Sequence, residues 1–144
     1  MNIGRNEILV GVAVLAVAIL IVVPIFVSSN KSSRLDEIRE NVEAIRQAEL
    51  QYHDAFGSYV SADSAPRPQH AVDPNPVAWA PTEGFRKLSW APGSDAVLGS
   101  YQVQADKQDF KVIGACDVDG DGTKAVFEAT RDEPAHAVTP SGVY

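Results

Sequence analysis

Residues 8–27 read ILVGVAVLAVAILIVVPIFV, twenty positions without a charge. At about 1.5 Å rise per residue such a helix is about 30 Å long, the thickness of a bilayer's hydrocarbon core. The run exceeds the apolar core of about 7–15 residues found in cleaved secretory signals, and no A-x-A-like site follows it. The pattern therefore predicts a retained, single-pass transmembrane helix. Glu7 stands at its amino-terminal edge and Pro24 near its far end. A carboxylate at a helix start is favoured by the macrodipole, but in hydrocarbon it is costly unless paired, which makes Glu7 a functional candidate. Pro24 lacks an N–H, so the helix should loosen around residues 20–24.

A second pattern begins at Leu35. Apolar residues recur at Leu35, Ile38, Val42, Ile45, Tyr52 and Phe56, with Glu49 where one more would fall. Spacings of three and four predict an amphipathic helix. Ala44, Ala48 and Ala55 widen its apolar face, and Asp36, Glu37, Arg39, Glu40, Glu43 and Arg46 populate the other. Gly57 is placed to end it. Nothing in residues 28–34 forces a break, so the two helices should join into one rod of roughly fifty residues, about 75 Å long.

Residues 58–81 lose all periodicity and contain Pro66, Pro68, Pro74, Pro76 and Pro81. This reads as an ordered surface loop, since Tyr59, Val60, Val77 and Trp79 give it something to pack with. Phe85, Leu88 and Trp90 are expected to plug the junction between helix and sheet. Period-two alternation then appears in residues 96–105, 110–116 and 124–130, with short connections. That predicts an antiparallel meander. Residues 131–144 read as a loop. The fold class is α+β: a long N-terminal helix, half transmembrane and half amphipathic, on a small antiparallel sheet. The divisions are 1–27 for the membrane or assembly segment and 28–144 for the soluble domain. Within the latter fall the helix continuation (28–57), the proline-rich connection (58–95), and strands with tail (96–144).

Charge narrows the function. The chain of 144 residues has a formal net charge of -7, and because Arg5 and Glu7 cancel, all of it lies after Val27. Nucleic acid is an unsuitable partner, because nothing would release counterions from phosphates. Arg5 and the terminal amine precede the apolar run and Lys31, Arg34 and Arg39 follow it, so charge counting alone leans towards a cytoplasmic large domain or leaves the orientation open. One cysteine, Cys116, excludes an intrachain disulfide, and no Cys/His cluster has zinc spacing. No nucleophile elbow, P-loop or HExxH occurs, and an enzyme is not expected.

The one dense chemical motif is Asp117-Val118-Asp119-Gly120-Asp121-Gly122. Asp117, Asp119, Asp121, Gly122 and Glu128 satisfy EF-hand loop spacing. The flanks read as strands, however, and an extended 122–128 puts Glu128 about 20 Å away along the chain. Glu128 is therefore not expected to close a shell. Asp117, Asp119 and Asp121 remain candidate calcium ligands, against the alternative of a solvated Asp-Gly turn.

Glu7 with Pro24 seventeen residues on, the amphipathic continuation, and Ala48-Glu49-Leu50-Gln51-Tyr52 leading to Phe56-Gly57-Ser58-Tyr59 together resemble the type IV pilins and pseudopilins. The resemblance covers about residues 3–60. It departs at the start, where Asn2 stands at the position of the family's leader glycine and Gly4 lies closer to Glu7. The resemblance implies a structural subunit of a type IV pilus or type II secretion-like filament. It would be made in the bacterial inner membrane with its C-terminal domain periplasmic, reaching the cell surface once assembled. Glu7 would neutralise a neighbouring subunit's terminal amine, and Pro24 would let packed helices curve. The alternative is an inner-membrane-anchored periplasmic binding module whose aspartate loop holds calcium.

Overall fold

The computed structural model describes the backbone from Arg5 and the side chains from Asn30 to Tyr144. One helix, α1 (Arg5–Phe56), carries both the apolar run and the amphipathic stripe over 52 residues. Among the described residues no helix is long and apolar enough to cross a membrane. The expected transmembrane run, residues 8–27, and the loosening expected near Pro24 both lie outside the residues whose side chains are described.

The remaining elements are β1 (Ala62–Ala65), β2 (Val77–Ala78), the short helix α2 (Glu83–Lys87), β3 (Ala96–Val97), β4 (Ser100–Ala105), β5 (Phe110–Cys116), β6 (Ala125–Thr130) and β7 (His136–Ala137). A five-stranded antiparallel sheet runs in the order β1-β4-β5-β6-β7, and β2 with β3 forms a separate two-stranded ribbon. The predicted meander is its centre, β4-β5-β6, with Val103 opposite Val112 and Val112 opposite Ala129. The edge strands differ from expectation. β1 lies inside the stretch read as loop, pairs with β4 and carries a register irregularity between Ala62 and Ala65. β7 lies in the stretch read as a loop tail and pairs with β6.

α1 lies across β5 and β6. Ile38, Val42 and Ile45 are fully buried there, against Tyr101, Phe110, Val112, Phe127 and Ala129. Each such side chain contributes roughly 1.5–3 kcal/mol by leaving water. The docked stripe is narrower than the sequence suggested. Phe56 is 69 % exposed, and Ala44 and Ala55 are exposed. Ala55 and Phe56 fall in the last turn of α1, whereas Ala44 lies about three turns earlier, beside the buried Ile45.

Two polar devices fix the helix laterally. Arg46 donates from Nε to the Thr130 carbonyl at 2.6 Å and from an Nη to that of Arg131 at 2.8 Å. Glu43, ion-paired to Arg46 at 2.9 Å, accepts from the Ala135 N–H at 2.9 Å. Asn41 donates to the Tyr101 hydroxyl at 2.8 Å. The proline-rich stretch is ordered, as expected, around Arg67, whose guanidinium reaches the carbonyls of Asp73, Asn75 and Leu98. Phe85 and Leu88 are core residues, and Trp79, Phe85, Trp90 and Tyr101 form one edge-to-face and tilted aromatic cluster. The tryptophans are thus packing residues.

Candidate functional site

The aspartate turn joins β5 to β6. Asp117, next after β5, is buried and organises it: Oδ1 accepts from the Gly120 N–H at 2.7 Å and Oδ2 from the Gly122 N–H at 3.0 Å. Both glycines have positive φ, +73° and +84°, the left-handed region where a side chain is strained. This backbone reversal swings Asp119 and Asp121 back towards Asp117. One carboxylate oxygen from each of the three lies within 4.8 Å of the others. Calcium–oxygen bonds of about 2.3–2.6 Å allow ligand oxygens on one ion to lie up to about 5 Å apart, so the spacing fits. Carboxylate oxygens engaged by one N–H retain a lone pair for a metal. The donor set is all oxygen and anionic, which suits a hard cation.

The turn carries a cation of its own. Lys31 Nζ lies 3.1 Å from Asp119 Oδ2, and 5.0 Å from the centroid of the Tyr144 ring. Asp121 accepts from the Thr123 N–H at 2.7 Å. Lys31 and Tyr144 were not legible as parts of this site. They lie far from the motif in the chain, and Lys31 read only as a charge flanking the apolar run. Glu128, as expected, is elsewhere: it lies in β6 and pairs with Lys111 at 3.1 Å.

The other sequence-derived candidates, Glu7 and Pro24, fall within α1, but the assembly roles expected of them rest on side chains outside the described ones.

A second unusual group stands on the docked face of α1. Glu49 is 0 % exposed. Its Oε2 accepts from the Val60 N–H at 3.0 Å, and Oε1 has no hydrogen-bond partner among the described residues. Burial pushes its carboxyl up to about 7, against a smaller pull downward from the Val60 N–H. The signal in the sequence was a charged residue at an apolar position of the stripe. Glu37 is also raised by burial, opposed by the Leu98 backbone and Arg34.

A cleft opens between the end of α1 and α2, lined by Gln51, Tyr52, Phe56, Lys87, Leu88 and Trp90 among others.

Comparison with protein-family models, with curated proteins and with solved structures gives no match.

Proposed function

We propose that the chain is a structural subunit of a type IV pilus or type II secretion-like filament, and not a catalyst. The observation that carries this reading is α1 itself. One helix, Arg5–Phe56, holds the apolar run 8–27 and, further along, the stripe docked on the sheet. The sheet covers the stripe at Ile38, Val42 and Ile45. The run before it is chemically suited to lipid and to copies of itself.

In this mechanism the apolar helices pack side by side in a filament core, and the sheet domains face outward. Glu7 pairs with the terminal amine of a neighbouring subunit. A carboxylate buried without that partner is strongly unfavourable, so Glu7 selects the axial register more than it adds stability. Pro24 frees backbone groups that let the helix curve as subunits pack. Before assembly the chain resides in the bacterial inner membrane, single-pass, with the C-terminal domain periplasmic. The test is Glu7→Ala. Expected is normal membrane insertion with no incorporation into filaments; normal filaments from this variant contradict the reading.

A second reading is favoured by the convergence of Asp117, Asp119 and Asp121 within 4.8 Å. In it the chain stays in the inner membrane as a periplasmic binding module, with calcium held by these carboxylates. N-terminal sequencing of membrane-resident and sheared extracellular fractions separates the two. The chain in the sheared fraction supports the filament; its confinement to the membrane supports the binding module.

A further inference from the structure

We propose that Glu49 is a pH-operated latch between α1 and the sheet: protonated, it holds the turn at residues 57–60 on the helix, and ionised, it releases that turn. The geometry is specific. Glu49 continues the row Ile38, Val42 and Ile45, all buried without exposure, and is itself fully enclosed. One oxygen takes the Val60 N–H, eleven residues further along the chain, and the other has no partner among the described residues. Between the two, Gly57 closes the helix through its N–H to the His53 carbonyl at 2.7 Å, with φ at +72°. The rings then tie the turn down: His53 stacks on Tyr59 at 4.4 Å, and Tyr59 meets Phe110, the first residue of β5, at 4.9 Å. The carboxyl of Glu49 thus sits beneath the only covalent path from helix to sheet.

Among the described residues the ionised form has no compensating charge. Arg46, one turn before, is committed to Glu43 and to the carbonyls of Thr130 and Arg131. His53, one turn after, is held against Tyr59. Lys87, just beyond the Tyr52 ring at 6.0 Å, comes from α2 and is exposed. On the sheet side, Lys111 is paired with Glu128, and Arg131 with Asp132. Asp109, beside Phe110, accepts the Phe110 N–H. The shift of Glu49 follows from burial first, opposed only by the Val60 N–H.

A buried carboxylate without a counter-ion is driven to regain water. The turn above Glu49 is a short, irregular segment, the kind of unit that opens locally before the whole domain does. With the folded carboxyl at about 7 and the free value at 4.5, the contribution is fully present below about 4.5. It declines as pH rises and is lost above 7. Each unit is a tenfold change, so the closed state loses about three-hundredfold in population ratio across the whole window. Glu37, also raised, adds in the same direction. Glu43, Asp73, Asp106 and Asp132 are lowered, and act with opposite sign at more acidic pH.

The test uses the full chain in detergent micelles. Side-chain carboxyl carbons of glutamate are followed by NMR from pH 4 to 9 in the wild type and in Glu49→Gln. Expected is one carboxyl with a midpoint near 7 that is missing from the variant. A midpoint near 4.5 for Glu49 overturns the latch. Amide exchange at residues 57–61, corrected for intrinsic rate, is measured at pH 5.5 and 8.5. Protection should fall about thirtyfold between these two pH values in the wild type and stay level in Glu49→Gln, whose amide oxygen still accepts from Val60. Equal loss of protection in both proteins also overturns it.

Discussion

Val42 of α1 rests on the backbone of Gly114 in β5: a Cβ added to that glycine would stand 2.5 Å from Val42 Cγ2 and 3.1 Å from Ile38 Cγ2. Helix and sheet approach this closely because one side has no side chain. Gly114→Ala should therefore force the helix outward and cost about 1–3 kcal/mol. Gly93, with nothing within 4 Å of an added Cβ, serves as the control, and its replacement by alanine should stay within about 0.5 kcal/mol. Urea unfolding of both variants checks this.

Arg46 is the second tie. It satisfies two carbonyls beyond β6 while pairing with Glu43. Arg46→Met keeps most of the stem but leaves those groups unpaired, at a cost of about 1–3 kcal/mol. Hydrogen exchange should quicken first at residues 130–135, because Glu43 also holds the Ala135 N–H. Exchange that quickens uniformly over the domain would contradict this local role.

The aspartate turn separates structural from ligand roles. Asp117→Ala should destabilise the β5–β6 connection even without calcium, since two N–H groups lose their acceptor. Asp119→Asn with Asp121→Asn should leave stability nearly unchanged and abolish calcium binding. Calorimetric titration of the wild type and the double variant at millimolar calcium is the measurement. Heat absent from the wild type, or unchanged in the double variant, removes the turn from consideration as a calcium site.

Cys116 is fully buried, and burial pushes its thiol up to about 12, with Asp117 and Glu37 adding to the effect. The thiol should resist a disulfide reagent at pH 8 and react only on unfolding. The folded value is raised, so this contribution to stability is complete below the unfolded value of 9 and is lost as pH rises through 12. Rapid labelling of the folded protein would contradict this burial.

What could be read beforehand was whatever repeats with a period. The stripe at Ile38, Val42 and Ile45 and the alternation in β4, β5 and β6 both report one buried face, and both are where the core lies. β1 was hidden because ADSA has no β-branched or aromatic residue and sits among prolines; pairing with β4, not propensity, makes it a strand. β7 is two residues long, too short for any period. The motif at Asp117, Asp119 and Asp121 was visible, but its division into one buried organiser and two outer carboxylates was not. That division depends on which oxygens the Gly120 and Gly122 N–H groups reach. Lys31 and Tyr144 join the turn only through tertiary folding.

The account's central claim is assembly through α1. Electron microscopy of material sheared from the cell surface, labelled with an antibody to the 28–144 domain, tests it most directly. The account predicts thin filaments labelled along their length, lost in Glu7→Ala cells while the chain persists in the membrane. Label confined to the membrane fraction of wild-type cells, with no decorated filament, would contradict it.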